Sequence, residues 1–353
     1  MSNIPKGIVN LGNTCYLNAC IQILSILDPL WTIVQKHSQG KNVTAIEFPL
    51  WKHWKEIMFI MQSASATNQP GESLYPTGFF STLQSICKQK KLIFFQEKNQ
   101  EDVSEFVQFF FQSLHACLAQ SMNISIQGHV ENTTDDLALH VCRFLKSIYE
   151  KEYSEIHDLC SGVLIHFIDP IMTDPSRTEN HYRIQPDLFF VLNLPLPYPV
   201  RNDHSHYSLY DCFNCFCQEE VLEKENSWYN EKTGTYENVV KYTRFWNFPN
   251  VLWIGLNRSL HNGEKRRDFI QYPFLLDLNR YSYGYKRQNN IYDLIGIVNH
   301  MGTVEYGHYT CFVKKYDSWY HCNDTQIQKV EDVKHLETPY ACSLVYVKKN
   351  NIV

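Results

Sequence analysis

The chain has 353 residues, 44% hydrophobic and 20% charged, with a formal net charge of −5 and a pI near 6.3. That length holds one large domain or two ordinary ones with a substantial core, and the slightly acidic balance gives no reason to expect a nucleic-acid partner. No stretch is long and apolar enough to suggest a membrane span, and Met1-Ser2-Asn3-Ile4-Pro5-Lys6 lacks the apolar segment of a signal peptide.

In chain order, the first informative segment is Gly12-Asn13-Thr14-Cys15-Tyr16-Leu17-Asn18. Gly, Asn and Thr are turn and N-cap residue types, and Leu17, Cys20, Ile21, Leu24 and Leu27 then recur at helical spacing until Asp28-Pro29 stops the pattern. Cys15 therefore falls in the first helical turn, where unpaired backbone N–H groups and the positive end of the dipole favour a thiolate. Further helices are expected over residues 48–61 and 99–118. On the second, Asp102 and Glu105 fall three residues apart on the polar side. From about Gly162 the pattern turns to strands, with one expected over 163–168 and another over 188–194. A short helix around 209–222 is followed by strands near 251–256, 274–278, 292–299, 309–314, 319–321 and 344–347. The result is an α+β reading, a helical lobe followed by a largely antiparallel sheet.

A lone cysteine is more often core filler, and a lone histidine more often structural. Context changes the balance. His308 follows Gly307, which permits close backbone approach, and opens the strand Tyr309-Thr310-Cys311-Phe312-Val313. An imidazole mounted on a rigid strand end is well placed to meet a helix-borne thiol. Just after the next strand come Asn323 and Asp324. Either could accept from the imidazole N–H and fix its tautomer, although both also suit a simple Asx turn.

Together these segments resemble the ubiquitin-specific protease family of papain-like cysteine deubiquitinases. Its cysteine box is similar to the run from Gly7 through Cys15 to Ala19. Its glutamine-aspartate box looks like Gln100-Glu101-Asp102-Val103-Ser104-Glu105-Phe106. Its histidine box resembles Tyr292-Asp293-Leu294, His300-Met301-Gly302, Gly307-His308-Tyr309 and Trp319-Tyr320 through Asn323-Asp324. The boxes stand in family order over nearly the whole chain.

The resemblance implies Cys15 as nucleophile, His308 as general base, Asn323 as its orienting residue and Asn10 as the oxyanion-stabilising side chain. Asp324 matches a second acidic position ranked below Asn323. Gln100, Asp102 and Glu105 match positions lining the channel for ubiquitin's arginine-bearing tail, and His300 matches a residue shaping that channel's rim. The implied fold is a single catalytic domain over 1–353, with a helical thumb at about 7–150 and antiparallel β palm and β fingers at about 151–350. The implied reaction is cleavage after ubiquitin's terminal glycine, with ubiquitin and ubiquitinated proteins as partners and no cofactor. A silent ubiquitin-binding scaffold and a protease for another ubiquitin-like modifier are the alternatives.

Many family members bind zinc in the fingers through two Cys-x-x-Cys pairs. Here the first pair falls near Pro170 and Thr173 and the second near Asn230 and Thr233, none of them a ligand. No metal is expected there, and the fingers are expected to rest on hydrophobic and backbone contacts alone. His204 and His206 with Cys212, Cys215 and Cys217 form a weaker metal candidate, a single pair without a partner pair. The 12 cysteines are scattered, so they are expected to be reduced in a cytoplasmic or nuclear protein, or in host-cell cytoplasm if the source is viral. A monomer with no room for additional domains is the remaining expectation.

Overall fold

The computed structural model describes residues 4–37, 39–63, 73–95, 99–171, 181–198, 207–260, 262–285 and 289–349. Among these, seven helices come first: α1 (Cys15–Ser25), α2 (Asp28–Lys36), α3 (Phe48–Gln62), α4 (Thr77–Gln89), α5 (Val103–Leu118), α6 (Thr133–Tyr149) and α7 (Glu155–Cys160). Helix α1 is buried along its whole length. Asp28-Pro29 does end it, but the same dipeptide starts α2 after a bend of 82°. Proline in the first helical turn loses no hydrogen bond, so a stop signal for one helix is a start signal for the next.

The rest of the described chain is mostly strand: β1 (Gly162–Pro170), β2 (Arg183–Phe189), β3 (Val191–Pro195) and β4 (Tyr207–Ser208), then helix α8 (Leu209–Phe216). The strands resume with β5 (Glu220–Leu222), β6 (Trp228–Asn230), β7 (Thr235–Glu237), β8 (Val239–Asn247), β9 (Val251–Asn257), β10 (Ile270–Gln271) and β11 (Leu275–Asp277). They finish with β12 (Ile291–Gly302), β13 (Gly307–Lys315), β14 (Ser318–Asn323), β15 (Gln326–Val330) and β16 (Ala341–Lys348).

The palm is an eight-stranded sheet ordered β15-β14-β13-β12-β16-β9-β3, with β11 paired to the start of β12. All its pairs are antiparallel except β3 with β9. The fingers are a second antiparallel sheet, β2-β1-β8-β5, and β6 pairs with β7 as a hairpin. The apolar run at 188–194, expected as one strand, splits at Phe190: β2 belongs to the fingers and β3 to the palm. Phe190 stays buried against Phe111 and His157 as the chain changes sheets. Continuous hydrophobicity therefore hid the crossing. The helix expected over 209–222 stops at Phe216, and its last residues form edge strand β5 instead.

One core lies between the helices and a palm face, where Leu17, Ile21 and Leu24 join the cluster containing Val298, Cys311 and Val313. The opposite palm face is covered by α8, whose Cys212 and Phe213 join Leu252, Ile254 and Leu344. A smaller core seats α6 on the fingers through Leu137, Val141, Ile165 and Phe167. Because α1 packs on β13, the residue that starts the helix and the residues that start the strand meet at one end of the interlobe seam.

Candidate active site

Cys15 is the first residue of α1, so the free backbone N–H groups of the opening turn lie around its side chain. Asn13 holds a left-handed backbone at φ 54° and Gly12 lies at φ 102°, which folds the preceding loop tightly under the helix. Cys15 as a residue is only 3% exposed. Its hydrogen-bonding neighbour is the Gln100 amide, with Nε2 at 3.5 Å from Sγ. The same amide donates to the Gly307 carbonyl at 2.6 Å and accepts from the Gly307 N–H at 2.6 Å. Gln100 thus clasps the thumb to the residue before His308 and lies across the thiol.

His308 stands at the start of β13, with Nε2 2.7 Å from Asn323 Oδ1. Cys311 is opposite Cys322 in the β13–β14 register. With side chains alternating between faces, His308 and Asn323 therefore project from the same face. An amide oxygen can only accept, so Nε2 carries the proton and Nδ1 is left as a base. Gly307 must be glycine: an added Cβ would lie 2.3 Å from both His300 Nε2 and the Met301 carbonyl.

Asn10 is held from both ends. Its Oδ1 accepts from Gly12 N (2.9 Å), Thr14 N (3.2 Å) and Thr14 Oγ1 (3.2 Å), while Nδ2 donates to Asp324 Oδ2 at 3.0 Å. The other Asp324 oxygen accepts from Asn18 Nδ2 at 2.7 Å, and the Asp324 carbonyl receives Ile8 N at 2.9 Å. Asp324 therefore serves the loop before Cys15, and the imidazole is served by Asn323. Sequence reasoning missed Asn18. Its signal was an amide on an otherwise apolar stretch of helix that turns out buried all round.

A cleft of about 620 Å³ runs from this seam between thumb and palm, lined by Gln100, Asp102, Glu105, Lys265, His300 and Tyr309 among others. Asp102 is not within the helix, as the sequence suggested, but is its N-cap, accepting from Ser104 N at 2.7 Å and Glu105 N at 3.2 Å. Burial and the neighbouring charges of Asp102 and Glu101 push the Glu105 carboxyl above its usual range. Glu105 makes no ion pair among the described residues. An unpaired acidic wall of this kind attracts a cation.

His300, expected to shape the rim, does line the cleft, as a largely buried ring stacked on Tyr309 with centroids 4.2 Å apart. Lys265 Nζ donates to His300 Nδ1 at 2.6 Å and to its carbonyl at 2.9 Å. Burial, then the Lys265 charge, lower the imidazole to about 4. It is a neutral spacer behind Gly307. Arg258, just after β9, braces the segment leading to β10, donating to the carbonyls of Ala341 (2.7 Å) and Asp268 (2.8 Å).

At the fingers, polar side chains do more than the sequence suggested. Asn230 Nδ2 and Thr233 Oγ1 both donate to Glu237 Oε1 at 2.8 Å. Beside Pro170, Asp169 binds His181 (2.7 Å) and the Tyr242 hydroxyl (2.8 Å). Hydrophobic and backbone contacts alone do not hold this region, since Glu237 and Asp169 each accept hydrogen bonds from side chains around them. Thr173, His204 and His206 lie outside the described residues. Cys212 is core, its thiol pushed up to about 12 by burial. Among the described residues no group of three His, Cys, Asp or Glu side chains could hold a metal ion.

The family model described as Ubiquitin carboxyl-terminal hydrolase matches residues 6–346. Ubiquitin carboxyl-terminal hydrolase Usp2 of Drosophila melanogaster is 28% identical over 347 residues, covering 96% of this chain and 34% of the fly protein. Ubiquitin carboxyl-terminal hydrolase 21 of Homo sapiens is 28% identical over 352 residues, covering 92% of this chain and 58% of the human one. The chain thus spans well under two thirds of the length of these relatives. Among solved structures, a yeast SAGA DUBm matches with TM-score 0.68 at 25% identity, covering 98% of this chain and 68% of that one. A SAGA Ubp8/Sgf11/Sus1/Sgf73 DUB module bound to ubiquitin aldehyde matches with TM-score 0.67 at 23% identity, covering 98% and 70%.

Proposed function

The chain belongs to the ubiquitin carboxyl-terminal hydrolase family, and from that premise we propose that it is a cysteine-dependent deubiquitinase. It would cleave the isopeptide or peptide bond after the C-terminal glycine of ubiquitin. The observation that carries this reading is the His308–Asn323 couple at the start of β13, beside a thiol that opens α1 and is bridged to Gly307 through Gln100.

In this reading Nδ1 of His308 takes the Cys15 proton, and the thiolate attacks the glycine carbonyl. Asn323 keeps the imidazole in the tautomer whose free nitrogen faces the sulfur. The second hydrogen of Asn10 Nδ2 and the unpaired N–H groups opening α1 are donors for the oxyanion. His308 then returns its proton to the departing lysine amine, leaving a thioester that water, activated by the same imidazole, hydrolyses. The acidic wall of Asp102 and Glu105 suits an arginine-bearing tail, and the narrow approach past Gln100 and Gly307 suits glycine. The thiol is covered in this state, so the Gln100 clasp must loosen for the carbonyl to reach Sγ.

The test is turnover of a ubiquitin-aminocoumarin reporter by the wild-type chain and by Cys15→Ala, run beside covalent probes built on other ubiquitin-like modifiers. Fluorophore release that vanishes with Cys15 is the expected result. Binding without release would favour a scaffold, and labelling only by a different modifier's probe would reassign the substrate.

A further inference from the structure

His308 can serve as a base in only one tautomer, and the amide that selects it has a second end to account for. Asn323 Oδ1 accepts from His308 Nε2 at 2.7 Å. Were that amide turned over, Nδ2 would donate to the ring, and the proton would move to the nitrogen that must stay free. Asn323 Nδ2 has no hydrogen-bond partner among the described residues. Something has to keep the amide from turning.

The ladder brings two more polar side chains into line with it. Cys311 lies opposite Cys322, so the next pair in the same register is Thr310 and Asn323. On the other side of β13, Thr310 lies opposite Asn299 of β12. Asn299, Thr310 and Asn323 thus form one row across three adjacent strands, on the face that carries His308. Neighbours in such a row have Cβ atoms about 4.5–5.5 Å apart. Asn299 is 5% exposed and Thr310 3%. The next row on that face, Ile297 and Phe312, is apolar core.

A threonine in a strand is ordinarily there for its branched shape. Valine has that shape with no hydroxyl to satisfy, and a buried amide beside it would be needless. Asn299 Oδ1 is buried with no hydrogen-bond partner among the described residues, a costly state unless a donor comes to it. The Thr310 hydroxyl is the side-chain donor directly opposite. With its hydrogen committed to Asn299 Oδ1, Thr310 Oγ1 can only accept, and the group that Asn323 turns toward it must be the N–H. We propose that Thr310 is a positioning residue for the His308–Asn323 couple: anchored on Asn299, its hydroxyl receives Asn323 Nδ2 and so holds Oδ1 on the imidazole. The row is open in this state and closes as the site tightens around substrate, as catalytic hydrogen bonds commonly do.

This role rests on the deubiquitinase reading for its effect on rate, yet the tautomer can be read without any turnover. The experiment joins ubiquitin-aminocoumarin kinetics with proton–nitrogen NMR of the full chain labelled at histidine, His308 being assigned by its loss in His308→Ala. Thr310→Val should lower kcat about tenfold with KM little changed, the scale of one positioning hydrogen bond. The neutral His308 ring should pass from a uniform Nε2–H form to a mixture of both tautomers. Thr310→Ser, which keeps the hydroxyl, should recover most of the rate and the single tautomer. Asn299→Ala removes the anchor and should shift the same signals in the same direction, which decides the matter if Thr310→Val does not fold. In an Asn323→Ala background Thr310→Val should bring no further loss, because it acts through that amide. Serine falling as far as valine, a full further loss without Asn323, or an unchanged tautomer in both Thr310→Val and Asn299→Ala would each overturn the role. A chain that shows the tautomer change but turns over no ubiquitin reporter would sink the substrate reading and leave Thr310 in place.

Discussion

The side-chain amide of Asn10 donates to Asp324 at 3.0 Å, so a residue five positions before the thiol is oriented from 314 positions further along the chain. Asn323 and Asp324 are sequence neighbours with separate duties, one holding the imidazole and the other holding the oxyanion-side loop.

That division predicts the behaviour of Asp324→Ala. Loss of the carboxylate removes the partner of Asn10 Nδ2, though its Oδ1 stays held, and leaves Asn18 Nδ2 only its longer bond to the Ile8 carbonyl at 3.4 Å. We expect kcat to fall by about 10²-fold with KM little changed, the mark of a donor used in the transition state. Loss of the short bond from buried Asn18 should lower stability by about 1 kcal/mol. The pH limb set by His308 should not move, because Asp324 does not touch the ring. Steady-state kinetics across pH checks this, and a shifted limb would mean that Asp324 acts through the histidine.

Gln100 predicts a second outcome. Its amide covers Sγ and clasps Gly307 by two short hydrogen bonds. Gln100→Ala should open the thiol to small reagents and raise its alkylation rate by iodoacetamide about tenfold, since access and thiolate character together set cysteine reactivity. Mass-spectrometric rates for wild type and variant test it; equal rates would show that the covering side chain already moves freely.

The distinction between what the sequence disclosed and what it concealed has physical causes. Cys15 and His308 stood out because each sits where a local pattern changes, a turn into a helix and a glycine into a strand. At the following strand end Asn323 and Asp324 were equal candidates, and only the family resemblance ranked them. The role of Asp324 was not legible, because nothing local says that its carboxylate reaches back to Asn10 and Asn18. The burial of His300 was hidden for a related reason: its packing against Tyr309 and Lys265 depends on a loop from elsewhere in the chain. Helix α6 was overlooked although Leu137, Val141, Phe144, Leu145 and Ile148 recur at helical spacing. The end of one helix and start of another at Asp28-Pro29 could not be told apart from a simple stop.

Acid should unfold the protein early. His157 is stacked on His115 with centroids 4.0 Å apart, and burial, then the neighbouring His115, lower it to about 4. Burial lowers His115, His166, His300 and His321 as well. An unfolded histidine titrates near 6.5, so between about 4 and 6.5 the unfolded chain binds more protons than the folded one. The stabilisation from keeping these rings neutral is complete above about 6.5 and is lost progressively as pH falls toward 4. The melting midpoint should therefore drop by several degrees, roughly, from pH 6.5 to pH 5, before most carboxylates titrate. His157→Phe preserves the stacked ring and should flatten that slope. A slope unchanged by this variant would remove His157 from the explanation.

The fingers supply the last test. In the β6–β7 hairpin, Glu237 accepts from Asn230 and Thr233, and Gly234 N closes the turn on the Asn230 carbonyl at 2.8 Å. A hairpin of three-residue strands has little stability of its own, so these side-chain bonds matter more than they would in a longer ladder. Prolonged dialysis against a strong chelator should leave both the melting midpoint and reporter turnover unchanged. Glu237→Ala should instead strip amide-exchange protection from residues 228–237 while sparing β1 and β8, whose long pairing does not depend on the carboxylate. If the fingers grip ubiquitin, the variant will raise KM for the reporter and leave alkylation of Cys15 at its wild-type rate, since the thiol lies at the seam between thumb and palm. Loss of stability on chelation would show that a metal, and not this carboxylate, holds the tip.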